Sequence, residues 1–586
     1  MSQRGIAGSG GDLFHDSGQD GLMHRAFLRG AGFSAEDVRN RPVIGIANSA
    51  SELNPCNLGL NRLAAEVKRG IREAGGLPIE FPTISISEPF TRPTSMFLRN
   101  LMSMDVEEMI TAAPIDGVVL LGGCDKTIPA QLMGALSANK PATLLAAGPR
   151  PTSCHRGISP LTVDDAWPFC DRRRVGEVDD AEWQEFEGNL NTDVGTCNVM
   201  GTASSMAAIA AVLGFALPDH VFADSVSLAR RDLGFRTGLA AVAAVQRDQK
   251  PKDLVNLASL ENAFRAITAL GGSTNAIIHL EAIAGRAGVE IGMERFEQWS
   301  RSTPYLTNVR PGGEMTLNDL EDAGSLPALL TQISDLLHAD QRTVHGERWA
   351  DLLAATEAPA HNAIRLRETP ISAQGPLVVL RGNLAPNGAI LKTAGIESDG
   401  PLQHRGRAVV FDGLEDLNNR IDDPNLVVDA SSVLVLRGLG PIGAPGMPEV
   451  GHIPIPAKLM QQGVTEMVRI SDARMSGTST GAVVLHVSPE AAAGGPLAYL
   501  RDGDEVLLDT VTGRLDHLVD EAEYLAREPF AGPERPNRGF AQLHFDHVLQ
   551  ADEGCDFDFL RKIASSNSTN NRFTTEEQGG SHDDRN

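Results

Sequence analysis

No stretch of this chain is long and apolar enough to cross a bilayer as a helix. The longest apolar run, residues 203–218, is broken by Ser204, Ser205 and Gly214. It falls short of the roughly 20 residues a spanning helix needs and reads instead as a buried helix. Basic residues are scarce beside acidic ones: Lys+Arg 51 against Asp+Glu 76 leaves a formal net charge of -25. That balance argues against a nucleic-acid surface and gives no attraction to anionic membranes, so a small anionic substrate needs local positive charge or a metal to be held. Residues 1–21 are Gly-rich and polar, without the basic start and apolar core of a signal peptide, which sets the expectation of a cytoplasmic protein. In that setting Asn567-Ser-Thr569, which fits the glycosylation pattern, is an empty match. The cysteines are Cys56, Cys124, Cys154, Cys170, Cys197 and Cys555, with no C-x-x-C pair, and so few in a large chain expected to be cytoplasmic argue against a disulfide framework. Also missing are a Walker A sequence, H-E-x-x-H, a G-x-S-x-G elbow and any repeat of fixed period.

At 586 residues the chain exceeds what one hydrophobic core supports, so two or more domains are expected. Between about 42 and 275 short apolar runs alternate with helical periodicity. Val43-Ile-Gly-Ile46 and residues 118–121 are strand-like, while 60–74 and 130–138 are helical. The alternation implies βαβ units in an α/β fold with a mostly parallel sheet. Residues 261–354 are mainly helical in pattern. Near Ile371 the texture changes to short β-rich runs at 378–380, 408–411, 432–436, 467–470, 482–486 and 505–508, separated by Gly, Pro and Asp. That is the pattern of a barrel or sandwich. The expected division is an N-terminal α/β domain over 1–370, a β-barrel domain over 371–560 and a polar, flexible tail over 561–586.

Gly122-Gly-Cys124-Asp-Lys126 packs a soft thiol, a hard carboxylate and an amine into consecutive residues. The preceding run, Gly117-Val-Val-Leu-Leu-Gly122, reads as a buried parallel strand, which puts the triplet where open α/β sheets bind ligands. Cys56 in Asn54-Pro-Cys56-Asn57 and Cys197 in Gly195-Thr-Cys197-Asn198 share its turn setting. Three turn-borne thiols fit an iron-sulfur cluster, zinc or copper(I), or are plain buried cysteines. Glu88, before a proline, and Glu449, after one, are carboxylates on extended or turn segments, of the kind magnesium takes together with Asp125. The hydroxyl-rich loop 471–481 offers Ser476 as a nucleophile or base, or is a hydrogen-bonded turn. Gly438-Leu-Gly440-Pro-Ile-Gly443 satisfies G-x-G-x-x-G, but Ala444-Pro-Gly-Met-Pro448 cannot open the helix that would hold a pyrophosphate.

These segments, with Gly271-Gly-Ser-Thr-Asn275, Gly443-Ala-Pro-Gly-Met-Pro-Glu449 and Ser471-Asp-Ala-Arg-Met-Ser-Gly477, resemble the dihydroxyacid dehydratase and sugar-acid dehydratase family over the chain to about Leu560. Ser87-Glu-Pro-Phe-Thr-Arg-Pro-Thr94 is similar to the pentonate (L-arabinonate or D-xylonate) branch. The resemblance implies a 2Fe-2S cluster on Cys56, Cys124 and Cys197, with 4Fe-4S found in relatives. It implies Mg2+ held by Glu88, Asp125, Glu449 and a carbamylated Lys126, and Ser476 as base. It further implies a C-terminal barrel like the swivelling domain of aconitase, and a homodimer or homotetramer. The expected activity is loss of water from a sugar acid, a pentonate or related aldonate, to the 2-oxo-3-deoxy acid. Dihydroxyacid dehydratase of branched-chain amino-acid synthesis is the alternative within the family. A nicotinamide-dependent oxidoreductase resting on the Gly438 loop and a non-catalytic metal-binding protein resting on the cysteines are alternatives outside it. The residues after Leu560 depart from the usual family ending.

Overall fold

The computed structural model describes residues 14, 16–34, 37–38, 41–396, 402–479 and 481–561. Most of the polar N-terminal stretch, and the expected polar tail but for Arg561, lie outside them, as does Asn567. The first sheet is wholly parallel, in the order β2 (Leu77–Pro82), β1 (Val43–Asn48), β3 (Gly117–Gly122), β4 (Ala142–Ala146). Strands β1 and β3 are buried along their length, as the continuous apolar runs require of a sheet covered on both faces. Alternate residues divide between two cores. Ile44, Ile46, Val119 and Leu121 face helices Leu60–Glu73 and Leu228–Gln246, whereas Val43, Val118 and Leu120 face Arg99–Ala112 and Thr127–Ala138. Helix Thr202–Val212 is buried at every position, in agreement with the reading of the 203–218 run. Among the described residues no helix is long and apolar enough to cross a membrane.

The second sheet has eight strands. Beyond β5 (Ser153–His155) and β6 (Ile158–Leu161), which form a small hairpin, the chain builds β7 (Leu377–Leu380), β8 (Gly388–Lys392), β9 (Gln403–Asp412), β10 (Val433–Arg437), β11 (Arg469–Ser471), β12 (Val483–Ser488), β13 (Glu505–Asp509) and β14 (Arg514–His517). The order is β14-β13-β9-β10-β11-β12-β8-β7. The two edges nearly close on each other through Arg381, whose N–H donates to Gly513 O at 2.8 Å and whose carbonyl accepts from Leu515 N at 2.9 Å. The centre, β9 to β12, is parallel and the flanks antiparallel. Leu391, Val410, Val435 and Val484 point inward; Phe411, Leu434 and Leu436 point out and are covered by Leu417, Ile421, Ile453 and Leu459. All six β-rich runs of the sequence reading are strands, and β8 and β14 are additions. Strand β14 escapes the pattern because Arg514-Leu-Asp-His517 carries one aliphatic residue.

The last described stretch returns to the first unit. Val548, Ala551, Cys555 and Phe557 pack with Met96, Ile278 and Met447. Arg286 pairs with Asp556 at 2.6 Å, both side chains fully buried.

Candidate active site

In the first sheet the chain runs from β1 out to β2 on one side and crosses to β3 and β4 on the other, so the switch point lies between β1 and β3. Ligands of open parallel sheets bind outside the carboxyl ends at such a point. The connection after β1 carries Cys56 and the one after β3 carries Cys124, Asp125 and Lys126. Asn57 ties them together: its Oδ1 accepts from Cys124 N at 2.9 Å, and its Nδ2 donates to Ser49 Oγ at 3.0 Å and Thr127 Oγ1 at 3.2 Å. Gly123 is required here, because a Cβ would lie 2.6 Å from Ala147 Cβ and 3.1 Å from Cys56 O.

The neighbouring Cys56 thiol, with burial, raises the Cys124 pKa. Burial pushes Cys197 up to about 11 against the opposing charge of Arg150, whose Nη2 lies 3.6 Å from its Sγ. Cys197 joins the group through the Thr196 N to Gly148 O bond of 2.9 Å beyond β4. Cys555 is buried elsewhere, 3.9 Å from Met447 Sδ, and Cys154 and Cys170 are exposed. The three turn-framed thiols thus lie in one region and the other three do not.

Lys126 stands at the centre of the carboxylates. Its side chain is 0% exposed and its Nζ lies 2.7 Å from Glu449 Oε1, 3.0 Å from Glu88 Oε2 and 3.6 Å from Asp125 Oδ2. Burial alone would lower its pKa, but the three carboxylates raise it. Arg474, also fully buried, donates from Nη1 to Glu449 Oε1 at 2.6 Å and lies 3.9 Å from Glu88 Oε1. Asn275 Nδ2 donates to the same Glu449 oxygen at 2.8 Å and reaches Met475 O at 3.2 Å, which ties Glu449 to the residue before Ser476. Glu88 accepts from Thr94 Oγ1 at 3.0 Å and from Ser95 Oγ. Burial would raise Glu88, but Lys126 and Arg474 carry it down to about 2. Burial pushes the Glu449 carboxyl up and the Glu88 charge adds to this. Lys126, Arg474 and Asn275 nonetheless all donate to its Oε1, an arrangement the ionised carboxylate satisfies best.

Ser476 lies on the loop after β11. Its Oγ is 2.8 Å from Thr478 Oγ1 and accepts from Thr478 N at 3.3 Å. The next residue, Gly477, meets the start of helix Thr202–Val212 so closely that a Cβ would stand 2.8 Å from both Gly201 Cα and Thr202 N. The Gly438–Gly443 loop is not open to a phosphate. Its N–H groups are already taken by buried carboxylates: Gly438 and Leu439 donate to Asp472 at 3.0 Å each, and Ile442 and Gly443 donate to Glu490 at 2.8 Å each.

As they stand, no three His, Cys, Asp or Glu side chains among the described residues form a ready metal cage. Burial favours the protonated thiols of Cys124 and Cys197, and the carboxylates close on the Lys126 ammonium. Metal entry would have to displace those protons and that ammonium, as it does wherever ligands must first lose protons. The residues that sequence reasoning did not single out are Arg474, Asn275, Thr94 and Ser95. Arg474, Asn275 and Thr94 lie inside quoted motifs and Ser95 directly follows one, but a buried side chain pointing at a carboxylate leaves no local signature.

Residues 41–352 match the family described as Dihydroxy-acid/6-phosphogluconate dehydratase N-terminal, and residues 362–555 match its C-terminal counterpart. The chain belongs to this dehydratase family. It is 45% identical over 560 residues to the L-arabonate dehydratase of Azospirillum brasilense, covering 93% of this chain and 96% of the relative. It is 42% identical over 545 residues to the 6-deoxy-6-sulfo-D-gluconate dehydratase of Pseudomonas putida, covering 92% and 94%. The dihydroxy-acid dehydratase of Solidesulfovibrio magneticus (strain ATCC 700980 / DSM 13731 / RS-1) is 36% identical over 521 residues, covering 87% and 92%.

Proposed function

We propose that the chain is a hydro-lyase that removes water from a sugar acid, a pentonate or related aldonate, to give the 2-oxo-3-deoxy acid. The observation that carries this reading is the meeting of Glu88, Asp125 and Glu449 on the buried Lys126 amine, next to the thiols and one residue contact from the Ser476 loop. Two relatives named for sugar acids, at 45% and 42% identity, support an aldonate over a dihydroxy acid at 36%, while a relative named for D-xylonate stands level with the latter at 35%.

The donor types fit both cofactors. Cys56, Cys124 and Cys197 would hold an iron-sulfur cluster, 2Fe-2S or 4Fe-4S, and three thiolates leave one iron with a free position. Glu88, Asp125, Glu449 and a carbamylated Lys126 would hold magnesium, a set of hard oxygens. Turning the ammonium into a carbamate exchanges one positive charge for one negative, and a divalent cation restores the difference. The charge facing Arg474 is then unchanged, which is how the same pocket accommodates both states. When bound, the two centres supply Lewis acidity to the substrate's oxygens.

The chain's own groups carry the rest. Ser476 Oγ takes the proton from C2, the C2–H electron pair becomes the C2–C3 double bond, and the C3–O bond breaks with hydroxide leaving. That proton and hydroxide are the water lost, and the enol tautomerises to the 2-oxo acid. Arg474 and Asn275 fix Glu449, while Thr94 and Ser95 fix Glu88, so that the carboxylates need not reorganise during turnover. The test is anaerobic reconstitution with iron, sulfide and magnesium, followed by a panel of aldonates and 2,3-dihydroxyisovalerate with 2-oxo acid detected. Aldonates should be turned over fastest. Faster turnover of the branched-chain substrate than of every aldonate would overturn the substrate reading.

A further inference from the structure

Residues 153–190 form a small unit with its own core of Leu161, Phe169, Val178 and Phe186. Nothing in the reaction as described uses it, yet it reaches the candidate base. Trp167, on helix Ala166–Arg174, directs its indole Nε1–H at Thr478 Oγ1, 2.8 Å away, and Thr478 Oγ1 lies 2.8 Å from Ser476 Oγ. Thr478 is 5% exposed, while Trp167 keeps an open edge at 36%. The indole is placed from three directions. Its helix start is pinned by Arg310 Nη1 to Asp165 Oδ1 at 2.9 Å, and Val163 N donates to Asn198 Oδ1 at 3.0 Å. Its helix end is pinned to the second sheet's connections by Arg174, with Asp422 Oδ1 at 3.0 Å and Ile455 O at 2.5 Å. Its ring lies 5.8 Å from that of the half-buried His452.

We propose that Trp167 is a positioning residue for Ser476, acting through Thr478 to stabilise the deprotonated hydroxyl. The proposal rests on the reading of Ser476 as the base. An indole N–H can only donate, so Thr478 Oγ1 is the acceptor in the first bond of the chain. A serine alkoxide has no proton to give, so in the reactive state the second bond has one direction, from Thr478 O–H to Ser476 Oγ. The Thr478 N–H, 3.3 Å away, adds a second donor to the same oxygen. A hydroxyl that accepts from one neighbour donates more strongly to the next, the cooperativity of hydrogen-bond chains. Trp167 thereby favours the charged form of Ser476 without touching substrate, and it links the small unit's docking to the acidity of the base.

The test compares wild type with W167F, T478V and the double variant as reconstituted holoenzymes, with S476A in the same assay. Trp167→Phe keeps the ring and removes only the donor. One neutral hydrogen bond corresponds to a loss of kcat of about tenfold, with KM little changed. The ascending limb of the kcat against pH profile should move to higher pH, because the base is harder to deprotonate. Adding W167F to T478V should cost nothing further, since both cut the same chain. Wild-type kcat and profile in W167F, a loss of kcat with the profile unmoved, or additive losses in the double variant would each overturn the proposal. Near-wild-type turnover by S476A instead overturns the base assignment itself, so the two failures are told apart. Thermal unfolding midpoints confirm that the variants are folded, and an exposed indole edge makes W167F a mild change.

Discussion

A lysine with no exposed side-chain surface is costly unless its charge is matched. Here the match comes from three carboxylates within 3.6 Å, and a cation between like charges is what lets Glu88 and Glu449 approach each other. The same economy of contacts marks Ser476, whose hydroxyl oxygen, among the described residues, hydrogen-bonds to Thr478 alone. Ser476→Ala should therefore leave iron absorption and bound magnesium intact. Its turnover should fall by roughly 10²- to 10⁴-fold, the usual worth of a positioned general base. Near-normal turnover with both metals in place would remove Ser476 from the role. At this scale the sequence was legible for the residues that carry chemistry, since Cys124, Asp125 and Lys126 follow a strand that its own apolar run announces. It was silent on Arg474 and Asn275, because an arginine is ordinarily a surface residue and only three-dimensional packing brings these two to a carboxylate.

Among the elements, helix Asn275–Ala287 joins site and core. Its first residue holds Glu449, and two turns on it buries Glu281, which accepts from Gly292 N at 2.7 Å. Burial raises the Glu281 pKa from 4.5 to about 7. The folded state therefore holds this proton where the unfolded chain has released it. Stability from this group falls as pH rises from about 4.5 to about 7 and stays at the lower level above that. The drop is on the order of 3 kcal/mol. Glu281→Gln keeps the acceptor and removes the titration. Chemical denaturation should show the variant gaining on wild type between pH 5 and pH 8; an equal difference at both would show that Glu281 does not titrate in this range. The strands show the same division of what is readable. Runs such as Val433-Leu-Val-Leu-Arg437 announce themselves, whereas β14, with one aliphatic side chain, is a strand only because β13 offers it an edge.

On the scale of the whole molecule, the centre of the site is closed by contacts between distant parts of the chain. Lys126 and Glu449 are 323 residues apart and Asn275 and Glu449 174 apart. Filling the site should therefore tie the two halves together. Protein stripped of divalent ions should show a rise in unfolding midpoint of a few degrees on adding magnesium and bicarbonate together, more than with either alone. Saturation at about 100 times Kd is worth about 2.7 kcal/mol. Lys126→Ala should lose this rise, bound magnesium and turnover while keeping the cluster's visible absorption. A rise that survives in that variant would place the magnesium elsewhere.

The sequence by itself determined the βαβ alternation, the change to short strands near Ile371, and the loops that bear Cys56, Cys124 and Cys197. A buried strand writes a continuous apolar run and a turn writes Gly, Pro or Asn, so both are local signals. Only the tertiary structure decided that Glu449 closes on Lys126, that the Gly438 loop spends its N–H groups on Asp472 and Glu490, and that Trp167 reaches the Ser476 loop. Those contacts follow from strand order and from the packing of one half on the other, and no stretch of neighbouring residues encodes either.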